Sequence, residues 1–453
     1  MNALDFIFFF IYVFIFYVIF AFRRRKLEDP LLKKYHKQGF WIKCLATFAY
    51  CIFVVYLSPG DTNGLYYPEG LNIAKMILHD PSRISLITHK GSDFDESLLL
   101  NIANSGYFSE ESNFWVSRLV ALFSFFTFGK FMAINLVFSM IAFSGTFRLY
   151  RFFYEQYPHL HRQFAIAIIY FPTFVFWSAG ILKDPICIGA LGWITYCLYS
   201  IFYKKKNIVR NIFLLLLFGY LLAVLKVYIL VAYLPFFVLY LILKNVNLVR
   251  NQFARLAILL IFMVGAVAGS VSVMATIQEA LAGYTQKSIT QSIKSYQTNY
   301  QNQSNLVDSN FSLGVEFDGS ILSLAKIAPA AIVATLFRPF IWESKKVSTL
   351  LSSLESLSLM LFTLYVFIRV RPFRFFRSIF KDPMVTYCFF YSLVFALFVG
   401  ATTLNFGTLV RYKIPAMPFY LISIFLILDL NRKKKNPRDD SGEKLISEEV
   451  LSG

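Results

Sequence analysis

Long apolar runs separated by short polar stretches make up most of this chain, and most of them are sized for a bilayer. A hydrocarbon core of about 30 Å takes about 20 apolar residues in helical form. By that measure the sequence predicts crossings at about residues 2–22, 40–58, 132–153, 164–182, 185–203, 212–225, 227–243, 256–275, 350–368, 384–404 and 414–430. Another apolar stretch, 114–129, is too short to cross and predicts an interfacial or re-entrant half-helix, and 324–337 reads as a second half-helix, because a crossing there would place Arg369, Arg371, Arg374 and Arg377 outside. The fold class so read is all-α: a polytopic integral membrane protein of about 11 transmembrane helices plus two half-helices. One transmembrane domain over 1–431 carries outer loops at about 59–115 and 276–349, and 432–453 reads as a disordered cytoplasmic tail.

Charge orients these spans. Arg23-Arg24-Arg25-Lys26 follows the first run and no basic residue precedes it, so the N-terminus is expected outside. A cleavable signal peptide carries the opposite charge order. Further basic groups, among them Arg148, Arg151, Arg162, Lys204 to Lys206, Arg369 to Arg377 and Arg432 to Lys435, then fall on the inner side. The loop at 59–115 holds eight acidic residues against three basic ones and is expected outside. This arrangement, with the N-terminus out and the C-terminus in the cytoplasm, is the one expected in a bacterial inner membrane.

Composition narrows the class. Hydrophobic residues make up 57% of the chain, charged ones 15%, and mean hydropathy is +0.58, which excludes a soluble globular protein. The net charge of +18 sits in short blocks between spans, so it follows membrane topology and gives no reason to expect a nucleic-acid partner. The five cysteines and five histidines have no metal-site spacing.

The charges expected at the outer face are the candidates for chemistry. Asp61, in Pro59-Gly-Asp-Thr-Asn-Gly-Leu-Tyr66-Tyr67-Pro-Glu69, follows the second span closely. A carboxylate there can act as general base on an acceptor hydroxyl, with Glu69 as helper, or hold a divalent cation against a phosphate. The plain alternative is a solvated turn that ends the helix. Lys183 and Asp184 are expected in a tight hairpin between two spans, where Lys183 could hold a phosphate and Pro185 would open the returning helix. Lys226, at the turn of the next tight pair, is a further cation.

Arg338-Pro-Phe-Ile-Trp-Glu343 and Arg411-Tyr412-Lys413 place three basic groups on the expected outer side, against the general bias. Arginine suits bidentate contact with phosphate, and Tyr412 could stack on a sugar. Headgroup anchoring is the structural alternative for both segments. In the functional reading, Arg338, Arg411, Lys413 and Lys183 neutralise a phosphate while Asp184 and Glu343 orient those cations.

Asp61 followed by Tyr66 and Tyr67, the interfacial stretch in the first outer loop, and Arg411-Tyr-Lys-Ile-Pro415 opening a late span resemble the GT-C polytopic glycosyltransferases. Gly180-Ile-Leu-Lys-Asp-Pro185 and Arg338–Glu343 resemble segments of bacterial membrane proteins found beside cell-surface polysaccharide enzymes. The first resemblance implies a polyprenyl-phosphate or diphosphate sugar donor, a glycan or lipid acceptor, and a GT-C-like fold. Metal dependence is left open, with magnesium or manganese at Asp61 the ion to test. An extra span before the usual first helix, and the lack of an Asp-Asp or Asp-Glu pair after Asp61, depart from that family's pattern. The O-antigen or exopolysaccharide polymerases and ligases offer an alternative that relies on basic residues. A flippase or transporter for a lipid-linked sugar is the non-enzyme alternative.

Overall fold

A computed structural model describes residues 1–88, 94–245, 310–314, 318 and 321–433 of the 453-residue chain. It is all-helical apart from an isolated antiparallel bridge, Asn310 to Asn405, among the described residues. Seven of these helices are long and apolar enough to cross a membrane, or eight if one bent pair counts as a span. The protein is therefore a polytopic, all-α membrane protein. The expected crossing at 256–275 and the tail at 434–453 lie outside the described residues, as does most of the loop from 276. Two compact units are distinguished, one built on Met1–Val231 and the other on the described residues from Ala232 onward.

In the first unit the helices are α1 (Ala3–Arg25), α2 (Pro30–Ile52), α3 (Tyr67–His79), α4 (Ser105–Phe108), α5 (Glu111–Thr127), α6 (Phe131–Tyr154), α7 (His161–Ile168), α8 (Pro172–Trp177) and α9 (Lys183–Tyr199). A long α10 (Ile208–Asn245) starts here and continues past its limit. Local chemistry sets the ends. Asn2 and Asp5 cap each other's backbone amides at the start of α1, and Arg23, Arg24 and Arg25 fill its last turn against the carbonyl end of the dipole. Asp29 accepts from Leu31 and Leu32 amides and Pro30 takes the first helical position. That cap starts α2 ten residues earlier than hydropathy alone predicts, which brings Lys33, Lys34 and Lys37 into the helix.

Small residues bring the central pair together. A Cβ on Gly145 of α6 would lie 1.9 Å from the Gly189 carbonyl oxygen of α9, and one on Gly192 would lie 2.0 Å from that of Gly145. Such close backbone approach is the usual basis of helix association where lipid removes the hydrophobic drive. Outward, Ile7, Phe10, Ile11 and Phe14 of α1 stay exposed, as a lipid-facing surface requires.

Two expectations need correction in this unit. The crossing at 164–182 is not one helix: α7 and α8 are separate, with extended Phe171 before Pro172 opens α8, and an irregular stretch after Trp177. Proline cannot donate to the ladder, so the break is local chemistry that a hydropathy window averages away. The tight pair 212–225 and 227–243, by contrast, is present as two helical halves of α10 that meet at a kink, where Lys226 is non-helical (φ −153°, ψ 72°) at the position expected for the turn. Lys183 and Asp184, expected in a hairpin turn before Pro185, are themselves the first residues of α9, after extended Leu182.

The second unit contains the rest of α10, then α11 (Ile321–Phe337), α12 (Val347–Val370), α13 (Pro372–Lys381), α14 (Pro383–Thr402), α15 (Phe406–Tyr412) and α16 (Met417–Lys433). With 17 residues, α11 is short for a crossing, in keeping with the half-helix expected there. Asp382 caps α14 through the Met384 and Val385 amides. Thr335 donates to the Ala396 carbonyl at 2.7 Å, and Gly400 leaves room for the Ala331 carbonyl, so α11 and α14 meet closely. Tyr233, Phe237, Tyr387, Tyr391 and Phe419 form an edge-to-face aromatic core. The last expected span is bent: α15 and α16 meet at 63°.

Candidate active site

In the first unit, polar side chains converge where α2 ends and α9 begins. After α2 the chain makes one wide turn over Phe53–Leu57, then reverses at Gly60, whose φ of +51° favours glycine. Asp61 follows, half-buried, and its side chain does not cap the turn over Thr62–Tyr66 that it precedes.

Thr62 ties this segment to the start of α9. It is buried, donates to the Ile181 carbonyl at 2.7 Å, and shares a hydrogen bond of 2.7 Å with the Tyr50 hydroxyl. The Ile181 amide in turn donates to Asn135 Oδ1 at 2.9 Å. Gly180 makes this possible, since a Cβ there would lie 1.9 Å from the Tyr50 ring. The segment carrying Asp61 and the segment carrying Lys183 are thereby fixed to one another through backbone and buried hydroxyls.

A second tie comes from α5. Lys183 Nζ donates to Ser112 Oγ at 2.7 Å. The next residue, Asn113, accepts from the Tyr66 hydroxyl at 3.3 Å and donates to Glu110 Oε2 at 2.7 Å and to the Tyr107 carbonyl at 2.8 Å. Tyr107 donates to the Tyr66 hydroxyl at 2.8 Å. Arg118 pairs with Glu111 on the same helix. Asp184 is buried and forms an ion pair with Lys226 at 2.5 Å, so its partner is the cation of α10 and not Lys183 as a hairpin would suggest.

Glu69 lies further along α3, buried, with Oε1 accepting from Asn72 at 2.9 Å and Oε2 from the Leu100 amide at 3.1 Å. Burial raises its carboxyl above the ordinary value, and the two hydrogen bonds oppose that. The neighbouring Tyr67 donates to the Gly129 carbonyl at 2.8 Å, and burial, with the Asp5 charge, pushes its hydroxyl up to about 12.

The remaining sequence-predicted residues belong to the second unit. Arg338 is bound on two edges by Glu343, whose Oε2 also accepts from the Phe340 amide at 2.8 Å. Its guanidinium lies 4.2 Å from the Phe311 ring centre, and Phe311 stacks on Phe406 at 4.5 Å. Glu343 thus holds the Arg338 guanidinium, as expected of a carboxylate that orients it. The expectation that 405–413 is an exposed outer turn is corrected at Lys413, which is buried and donates to the Arg338 carbonyl and to Ser356 Oγ, both at 3.0 Å. Asn405 caps α15, so Leu409, Val410 and Lys413 share the face that packs inward. Arg411 and Tyr412 are half-buried, the guanidinium 5.9 Å from the adjacent ring centre.

Among the described residues no three His, Cys, Asp or Glu side chains converge as a metal site. Reading the sequence missed Thr62, Ser112 and Asn113. Their only signal was polarity, Thr62 next to the candidate aspartate and Ser112-Asn113 at the start of the apolar run 114–129. Lys43 was also missed. It is a buried lysine in α2 that donates to Ser178 Oγ at 2.5 Å and to the carbonyls of Ser178 and Val175 at 2.9 and 3.3 Å. Comparison of the chain with protein families, curated proteins and solved structures finds no match.

Proposed function

We propose that the protein is a membrane glycosyltransferase that moves a sugar from a polyprenyl-phosphate or diphosphate carrier to a glycan or lipid acceptor. The transfer would take place at the outer face of a bacterial inner membrane, with the N-terminus outside and the C-terminus in the cytoplasm, during surface-glycan assembly. The observation that carries this reading is the joining of the Asp61 segment to the Lys183 segment through Thr62 and Ile181. A carboxylate and a cation are thus held at the same end of two membrane helices.

In this reading the acceptor hydroxyl oxygen attacks the anomeric carbon, and the bond from that carbon to the carrier phosphate oxygen breaks. Asp61 takes the hydroxyl proton. The departing phosphate gains negative charge, which Lys183 and the amide end of α9 stabilise. Asp184 stays ionised against Lys226 and keeps the first turn of α9 in place. Glu69, held in α3 by Asn72 and the Leu100 amide, is the weaker helper. No step here is routed through a metal ion.

Turnover of a polyprenyl-phosphate sugar by the full chain in proteoliposomes tests the proposal. Asp61→Asn should lower the rate by about 100-fold or more, with unchanged yield and melting temperature. If only Lys183 and Arg411 changes abolish turnover, the polymerase or ligase reading takes its place. A flippase is favoured by one observation, the ionisable residue at the break of α10. It would be supported if carrier-linked sugar crosses vesicles with Asp61 altered.

A further inference from the structure

At the other end of α2, about 24 Å along the axis from Tyr50, a groove has no part in the proposed chemistry. Lys34, Gln38 and Trp41 recur at helical spacing on one face of α2, with Lys37 beside them. Tyr170 stands opposite and donates to Gln38 Oε1 at 2.7 Å, and Arg162 and Ile166 of α7 extend that wall. Two cavities of about 430 and 260 Å³ share Lys34, Gln38 and Tyr170.

The charges here are one-sided. No acidic residue lines either cavity. Lys34, Lys37 and Arg162 are exposed, and none makes an ion pair or hydrogen bond among the described residues. The adjacent His161 imidazole accordingly has its pKa held down, first by burial and then by Arg162 and Lys34, with Asp29 opposing. The groove also opens onto apolar surface. Trp41 is 47% exposed and Leu45, one turn further into the span Pro30–Leu57, is 68% exposed.

We propose that this groove binds the phosphodiester headgroup of an anionic membrane lipid, with Lys34, Lys37 and Arg162 on the phosphate and the acyl chains along Trp41 and Leu45. A soluble phosphate would use the cations alone. The continuous apolar ridge that starts at the mouth of the groove is what a tethered headgroup adds, and tryptophan at such a junction suits the boundary between headgroup and chain.

Native mass spectrometry of the full chain, released from micelles doped with phosphatidylglycerol or phosphatidylcholine, provides the test. Phosphatidylglycerol adducts should predominate. In the Lys34→Gln/Lys37→Gln/Arg162→Gln variant that preference should fall about tenfold or more, since one basic group near an anionic surface is worth roughly fivefold. Lys205→Gln/Lys206→Gln, which removes neighbouring charges outside the groove, should keep it. If the triple variant misfolds, the Lys34→Gln/Lys37→Gln pair should show an intermediate loss. Equal adducts of both lipids, or undiminished preference in the triple variant, would overturn the proposal. So would displacement of the lipid by millimolar glycerol phosphate, which would mark a soluble-anion site, or a dimer mass that these substitutions abolish, which would show that a second copy fills the groove.

Discussion

Asp184 and Lys226 form a buried ion pair at 2.5 Å that joins the first turn of α9 to the non-helical residue inside α10. Neither charge is tolerable alone in such surroundings. The amide end of α9 favours the carboxylate. The departure of Lys226 from helical geometry breaks the ladder of α10 at the residue that supplies the countercharge.

Breaking this pair from one side should therefore cost more than removing it. Asp184→Asn or Lys226→Met alone is expected to destabilise the protein by about 3–5 kcal/mol, because it strands one buried charge. The double variant should recover most of that loss. Thermal melts in a single detergent, compared across the four proteins, check this. Single variants that melt with the wild type would show that water reaches the pair.

Gly145 is the tightest point between α6 and α9. Gly145→Ala must push apart two backbones, since the atom it would meet is the Gly189 carbonyl oxygen. The cost should be about 1–3 kcal/mol or more. Gly219, which has nothing within 4 Å of its Cβ position, is the control: Gly219→Ala should be neutral or mildly stabilising. Comparable losses for the two alanines would contradict the packing described.

Lys43 satisfies carbonyls where α8 stops short. Lys43→Met keeps the volume and removes the donors, leaving buried acceptors unsatisfied at about 1–3 kcal/mol. Hydrogen exchange should speed up at amides 175–182, with α1 unaffected. Uniform acceleration across the chain would instead indicate global loosening.

Glu69 makes a pH prediction. Burial raises its folded-state pKa above the unfolded value. The unfolded state therefore ionises first, and the stability associated with the protonated form is present below the unfolded pKa and declines as pH rises through the folded one. Melting temperature should fall over that acidic window in the wild type, and Glu69→Gln should flatten the fall. An unchanged slope in the variant would assign the titration to another group.

Much of the architecture was legible because its signals are local. The apolar runs at 2–22, 132–153 and 384–404 coincide closely with α1, α6 and α14. Where expectation failed, the cause was either a local break that hydropathy averages away or a contact from a distant segment. Extended Phe171, before Pro172 opens α8, divides an apolar run that a hydropathy average treats as one span. Lys413 was expected to be exposed because 405–413 connects the last two apolar runs, yet it donates to the Arg338 carbonyl 75 residues away. Arg338 meets Glu343, the carboxylate expected to orient it.

By itself the order of residues determined the solvent of this protein, since only runs of about 20 apolar residues bury their backbone polar groups within lipid. It also determined the short basic blocks between the apolar runs and the chemical types available at their ends. Only the tertiary structure decided which of those groups meet. Asp184 lies 42 positions from Lys226 and Thr62 lies 119 from Ile181. Pairing across such separations depends on how whole helices pack and where glycines let them approach, a property of surfaces that no local stretch of sequence specifies.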